Sequence, residues 1–220
     1  MTFFETISGR SRSYAAQIRL VLAGCALTVA MMFIVPLVSA TIPFPYSYAC
    51  LLGTYWIVYC IPVSLGCGGN HPRVTVKFAG TRWQIVVAAL AMPILVAIGA
   101  GTVNVGLGHP ELIVLAIAVG LINGPLEEFA WRRPYRSNGR GRLRFESLGL
   151  LIFTCWHVPL LLVSGATYDF GASGLLGGSF LMGLIWLLMT RATNSIAWPA
   201  VSHALVNIVA FIPLFQPALI

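Results

Sequence analysis

Apolar residues in this chain gather into seven long runs, at about 20–40, 46–66, 84–107, 111–131, 148–165, 171–190 and 196–215. A helix needs roughly 20 mostly apolar residues to cross the hydrocarbon core of a bilayer. A spanning segment must also satisfy its own backbone polar groups, which a helix does. The pattern therefore predicts an all-α, polytopic membrane bundle of about seven transmembrane helices. Between the runs the longest segments are 67–83 and 132–147, both basic and punctuated by Gly and Pro. No water-soluble domain fits there, and no internal repeat or low-complexity segment interrupts the chain. The organisation expected is a tail over 1–19, a single bundle over 20–215 and a short tail over 216–220. Any chemistry must then take place within the bundle.

Composition agrees with this pattern. Of the 220 residues, 58% are hydrophobic and 9% charged, with a mean hydropathy of +0.88. A soluble domain carries about a quarter charged residues. Charge adds an orientation, because the 13 Lys and Arg fall only in the N-terminal tail and in alternate connections. Arg10, Arg12 and Arg19 precede the first run, and Arg73, Lys77 and Arg82 follow the second. Arg132 to Arg144 follow the fourth, and Arg191 ends the sixth. By the positive-inside bias the N-terminus is cytoplasmic and the C-terminus external. The net charge of +7 thus reads as topology and contact with anionic lipid, not as nucleic-acid binding.

The first run is preceded by basic residues and ends in "VSA" at 38–40, which resembles a signal-peptide cleavage site. Its length, Leu20 to Val38, exceeds the usual signal core, and a retained helix is expected. The cysteines at 25, 50, 60, 67 and 155 show no CxxC spacing and read as small packing residues.

In such a chain the informative residues are the polar ones within apolar runs, since an ionisable group near a helix centre costs about 2.5–3.5 kcal/mol on insertion scales. They are Asn104, Asn123, Glu127, Glu128, His157, His203 and Asn207; His71 and His109 fall in connections. At about 1.5 Å rise per residue, Glu127 lies roughly 7 Å inside the basic boundary, His157 about 15 Å and His203 roughly 14–18 Å. Three helices thus bring ionisable groups into the cytoplasmic half. Glu128 and Arg132 are four apart, where a carboxylate and a guanidinium can pair on one helix face. Glu127 is turned about 100° away and has no cationic partner on its own helix. His203 and Asn207 share a face, as do Asn123 and Glu127.

Plainer roles exist for each residue singly. A glutamate near a boundary can snorkel toward water, a buried histidine can be a structural hydrogen-bonding group, and HxxxN can clamp two helices. Together they suit hydrolysis. A carboxylate with no salt-bridge partner, in low dielectric beside a histidine, is fitted to general-base work. Glu127 with His157 could hold and deprotonate a water, while His203 and Asn207 donate to the oxyanion formed when it attacks an amide carbonyl. Ser202 and Cys155 are poorly placed as nucleophiles. Glu127, His157 and His203 are also an accepted zinc set, although the HExxH spacing is absent.

Three stretches carry a family resemblance: "EEFAWR" (127–132), "FTCWH" (153–157) and "HALVN" (203–207). In this order they match EExxxR, FxxxH and HxxxN of the CAAX-protease and bacteriocin-processing (CPBP, or Abi) intramembrane proteases, and the chain resembles their CAAX prenyl endopeptidase type over about 120–210. The resemblance implies that Glu127 and His157 activate water, that His203 and Asn207 form the oxyanion hole, and that Glu128 pairs with Arg132. It leaves open a metallo-type or a metal-free glutamate mechanism, with zinc the cofactor of the former; the metal-free version is the one favoured here. Arg133 and Pro134 depart from the Gly that often follows the motif arginine. The expectation is an integral membrane endopeptidase, set in a bacterial cell membrane, acting on a membrane-associated protein or peptide. Rival readings are a non-catalytic scaffold or bacteriocin-immunity protein of the same fold, and a small transporter or proton relay. A transporter usually shows duplicated halves, which are not seen.

Overall fold

The computed structural model describes residues 3–66, 74–78, 83–99, 109–136 and 142–216. His71, Arg73, Cys67, Arg82, Asn104, Arg140 and the last part of the 84–107 run lie outside the described residues. Among the described residues seven helices follow one another: α1 (Phe3–Thr41), α2 (Tyr46–Gly66), α3 (Trp83–Gly99), α4 (Pro110–Trp131), α5 (Arg142–Trp156), α6 (Gly171–Thr193) and α7 (Ala197–Phe215). Six of these segments are long and apolar enough to cross a membrane, α5 counting with the turn after it; α3, at 17 residues, is apolar but shorter. Phe33, Leu37, Ile57, Leu65, Leu95 and Ile98 point outward and exposed, as lipid-facing side chains do. The chain is an integral membrane helix bundle.

Two helices depart from regular geometry near the later site. In α2 a π turn spans Trp56–Cys60, and the Trp56 Nε1 donates to Asn123 Oδ1 of α4 at 2.7 Å. α5 starts at Arg142, earlier than the apolar run suggests, and stops at Trp156. Pro159 has no N–H to continue the ladder, so the backbone tightens into i→i+3 bonds, His157 N to Thr154 O and Val158 N to Cys155 O. A 3₁₀ turn over Pro159–Leu162 completes the segment.

α4 and α7 meet backbone to backbone. A Cβ built on Gly120 would lie 2.7 Å from the Ile208 nitrogen, and one on Gly124 closer still to that of Ala204. Only hydrogen at these two positions lets the backbones meet, the usual device for packing helices in lipid. Gly124 is one turn from Glu127 and Glu128, so this approach sets both acids against His203.

The basic end is closed by polar side chains. Glu146 is buried and accepts from Arg136 Nη1 at 3.3 Å and from Arg191 Nε. Segment 74–78 lies over the α6–α7 turn: Thr75 N donates to Asn194 O, Ile196 N to Thr75 O, and Ser195 Oγ to Lys77 O at 2.6 Å. Beneath them Trp131, Tyr135 and Phe145 stack in series, and Tyr59 lies tilted against Trp131. Tyr135 Oη ties this layer to α1 through Leu20 O at 3.0 Å.

Candidate active site

α4, α5 and α7 deliver the polar groups to one place. The His203 ring stands between the two acids of α4: Nε2 is 3.1 Å from Glu127 Oε2, and Nδ1 is 3.0 Å from Glu128 Oε1. All three side chains are buried. An acceptor faces each ring nitrogen, so two protons on the imidazole satisfy both contacts at once. With Arg132 included, two positive groups then balance two negative ones.

Aromatic rings hold this arrangement. Trp186 of α6 stacks on the His203 ring at 3.8 Å and 19°, and its Nε1 donates to Ser202 Oγ at 3.2 Å. Trp156 of α5 donates its Nε1 to Glu127 Oε1 at 3.3 Å while stacking on Tyr55 at 4.0 Å. Arg132 lies over the Phe153 ring at 4.7 Å. Its Nε is 3.4 Å from Glu128 Oε2, close enough for an ion pair but not aligned as a hydrogen bond.

A cavity of about 350 Å³ opens beside the cluster. Asn123, Glu127, His157, His203 and Asn207 line it, whereas Glu128 and Arg132 stay behind the wall. His157 Nδ1 meets Phe153 O at 2.8 Å. A carbonyl only accepts, so Nδ1 carries the proton, and in the neutral ring Nε2 is left as an acceptor. The Nδ2 of Asn207 is buried with no protein partner. Such a donor costs about 1–3 kcal/mol unless water or a ligand accepts from it.

Two sequence expectations change in detail. Glu127 has no cation on its own helix, yet it is not unpartnered, since His203 and Trp156 reach it from α7 and α5. His203, expected to donate into the cavity alongside Asn207, spends both ring nitrogens on the two glutamates in this state. Ser202 is taken up by Trp186 and Cys155 faces outward, so neither joins the cavity.

The donor set does not suit the zinc reading. Among the described residues no three His, Cys, Asp or Glu side chains converge as metal ligands do. Both His203 nitrogens face carboxylates, and His157 Nδ1 faces a carbonyl. Glu127, His157 and His203 in this arrangement do not fit a tetrahedral zinc site.

Sequence reasoning missed Trp156, Trp186 and Glu146. Trp156 sits inside "FTCWH" next to His157, and its N–H is a polar handle that the sequence reading passes over. Glu146 was overlooked because the apolar run starts at 148, although α5 begins four residues earlier than Glu146. Nothing in the sequence marks Trp186 as a ring partner.

Residues 109–209 match the family model described as type II CAAX prenyl endopeptidase Rce1-like. No curated protein and no solved structure matches the chain. The matched stretch contains every polar group of the cluster, from Asn123 to Asn207. By this match, the segment that forms the site is similar to the Rce1-like type II CAAX prenyl endopeptidases, in line with the resemblance that the three motifs carry.

Proposed function

We propose that this protein is an intramembrane endopeptidase in which Glu127, assisted by His157, activates a water that attacks a peptide bond. The observation that carries the proposal is the placement of the Glu127 carboxylate in the cavity wall, hydrogen-bonded by His203, with His157 and the unpartnered Asn207 donor lining the same space. Water held at Glu127 gives up its proton to the carboxylate as its oxygen bonds to the carbonyl carbon. The negative charge then moves from Glu127 to the carbonyl oxygen. The His203 N–H that Glu127 accepted can follow this charge, and it joins Asn207 Nδ2 as a donor to the oxyanion. The protonated Glu127 returns its proton to the leaving amine.

Glu128 has a separate task in this scheme. Behind the cavity wall it holds the far side of the His203 ring and pairs with Arg132, so that Nε2 faces Glu127. It is a positioning residue.

A scaffold needs no unpartnered amide donor in a cavity beside a buried carboxylate, and this feature favours the hydrolytic reading over a non-catalytic one. The substrate is a membrane-associated protein or peptide, and a bacterial cell membrane is the proposed setting. The test incubates purified protein in detergent with a prenylated CAAX peptide and with apolar membrane-spanning peptides, and identifies products by mass. Cleavage by wild type and none by Glu127→Ala is expected; no product from any peptide with wild type refutes the proposal.

A further inference from the structure

Asn123 lines the cavity with Glu127 but takes no part in the proposed hydrolysis. It stands one turn before Glu127 on α4, about 6 Å away along the axis at roughly 1.5 Å per residue, and on the same helix face. The residue is only 4% exposed. A carboxamide brings an oxygen that accepts and an NH₂ that donates, and a buried one needs partners for both.

The oxygen of Asn123 is already taken. Trp56 Nε1 lies 2.7 Å from Oδ1. An indole N–H only donates, so the amide atom that faces it has to be the oxygen, and the orientation of the carboxamide follows. Trp56 opens the π turn of α2, Trp56–Cys60. Single π turns recur at functional sites, and this one carries the indole that reaches α4.

With Oδ1 held by the indole, Nδ2 is turned away from it. Among the described residues Nδ2 meets no acceptor, and the side chain borders the cavity. A clamp between α2 and α4 uses the oxygen alone. It leaves a buried donor beside walls that include Leu52, Val96, Met182 and Val206, side chains with no acceptor to offer. Such a donor is costly unless a ligand accepts from it.

Asn207 has the matching place on α7. It lies one turn after His203, as Asn123 lies one turn before Glu127. Gly124 meets Ala204 and Gly120 meets Ile208, so the two helices run antiparallel and both carboxamides fall in one layer next to the acid and histidine layer. Donors in two adjoining layers suit a main chain. An extended peptide advances about 3.3 Å per residue, so it covers the step from Glu127 to Asn123 in about two residues. With Glu127 and Asn207 at the scissile carbonyl, a carbonyl within two residues of it comes to Asn123. Each peptide carbonyl that enters an apolar cavity gives up water and needs a donor in exchange.

We propose that Asn123 forms a subsite for the substrate's main chain, in which Nδ2, aimed by Trp56, donates to a backbone carbonyl within two residues of the scissile bond. The contact reads backbone, not side chain, and holds the peptide in register with Glu127. Asn123 is a substrate-binding residue, and Trp56, which acts through it, is a positioning residue. The proposal rests on the hydrolytic reading for the identity of the ligand as a peptide, but its test needs no cleavage.

Binding is measured in detergent with Glu127→Gln protein, which keeps Asn123 and Trp56 and serves as the reference. The probe is a fluorescently labelled prenylated CAAX peptide, with a series in which each backbone amide in turn is replaced by an (E)-alkene. The alkene keeps the shape of the chain and removes the carbonyl. One replacement should raise Kd by about fivefold or more in the reference, as loss of a buried hydrogen bond does. After Asn123→Ala the same replacement should cost less than about twofold, because the carbonyl has already lost its donor. A merely structural role for Asn123 would weaken binding of every peptide alike and leave the pattern of the series unchanged. Trp56→Phe keeps the ring and the carboxamide but frees the latter to turn, and should shrink the penalty at that one carbonyl. This variant carries the test if Asn123→Ala does not fold. A series with the same pattern in the reference and in both variants, or no binding of the peptide to the reference, overturns the proposal. If the pattern appears and wild type still cleaves no peptide, the hydrolytic reading falls alone.

Discussion

The imidazole Nε2 of His203 lies 3.1 Å from the Oε2 of Glu127, while its Nδ1 is held at 3.0 Å by the neighbouring Glu128. One histidine from α7 thus separates the roles of two adjacent acids on α4. Glu127 borders the cavity, and Glu128 fixes the ring from behind.

Removing His203 should be costly beyond catalysis. His203→Ala leaves Glu127 and Glu128 buried without their shared donor, and breaking a buried charged pair from one side costs about 3–5 kcal/mol. Thermal unfolding in detergent should show a marked drop in Tm, together with loss of cleavage. Unchanged Tm would mean that the ring does not bridge the two acids.

Helix proximity makes a second prediction. Gly124→Ala places a methyl group against the Ala204 backbone, and the α4–α7 pair must part to admit it. Gly177 has open space around it, and Gly177→Ala serves as the control. Only the α4 variant should lose stability, by about 1–3 kcal/mol as over-packing does, and it should lose activity as well because Glu127 moves with the backbone. Equal behaviour of the two variants would contradict the packing assigned to α4 and α7.

Trp156→Phe keeps the ring stacked on Tyr55 but deletes the N–H that Glu127 accepts. A hydrogen bond to a charged group is worth about 1.5–3 kcal/mol, so kcat should fall by roughly 10- to 150-fold at about 1.4 kcal/mol per decade. KM should change little, and a loss confined to KM would place Trp156 in substrate binding instead.

Metal dependence separates the two mechanisms named from the sequence. The donor set around His203 does not converge as zinc ligands do, so dialysis against a chelator should leave the cleavage rate unchanged. Activity lost on chelation and restored by zinc would contradict the metal-free scheme.

Much of this molecule is legible in its sequence, for physical reasons. Apolar runs of bilayer length give the helices because lipid tolerates little else, and the distribution of Arg and Lys gives their direction. The polar positions 123, 127, 157, 203 and 207 stand out because each is expensive at depth, and the structure gathers them on one cavity. Contacts between helices were not legible. Spacing along α4 cannot show that His203 arrives between Glu127 and Glu128, nor that Trp186 lies flat on that ring. The start of α5 was misjudged because Glu146 reads as a loop residue until Arg136 and Arg191 are seen to enclose it. The π turn of α2 has no mark in the sequence that we recognise.

If the Glu127 carboxylate takes the proton of the attacking water, single-turnover cleavage must fail in Glu127→Gln. Glutamine keeps the shape and still accepts a hydrogen bond from His203 or Trp156, but it cannot take up that proton. The expected result is a folded protein with cleavage reduced to the uncatalysed background, while Glu128→Gln retains measurable turnover; a Glu127→Gln rate close to that of wild type would rule out Glu127 as the base.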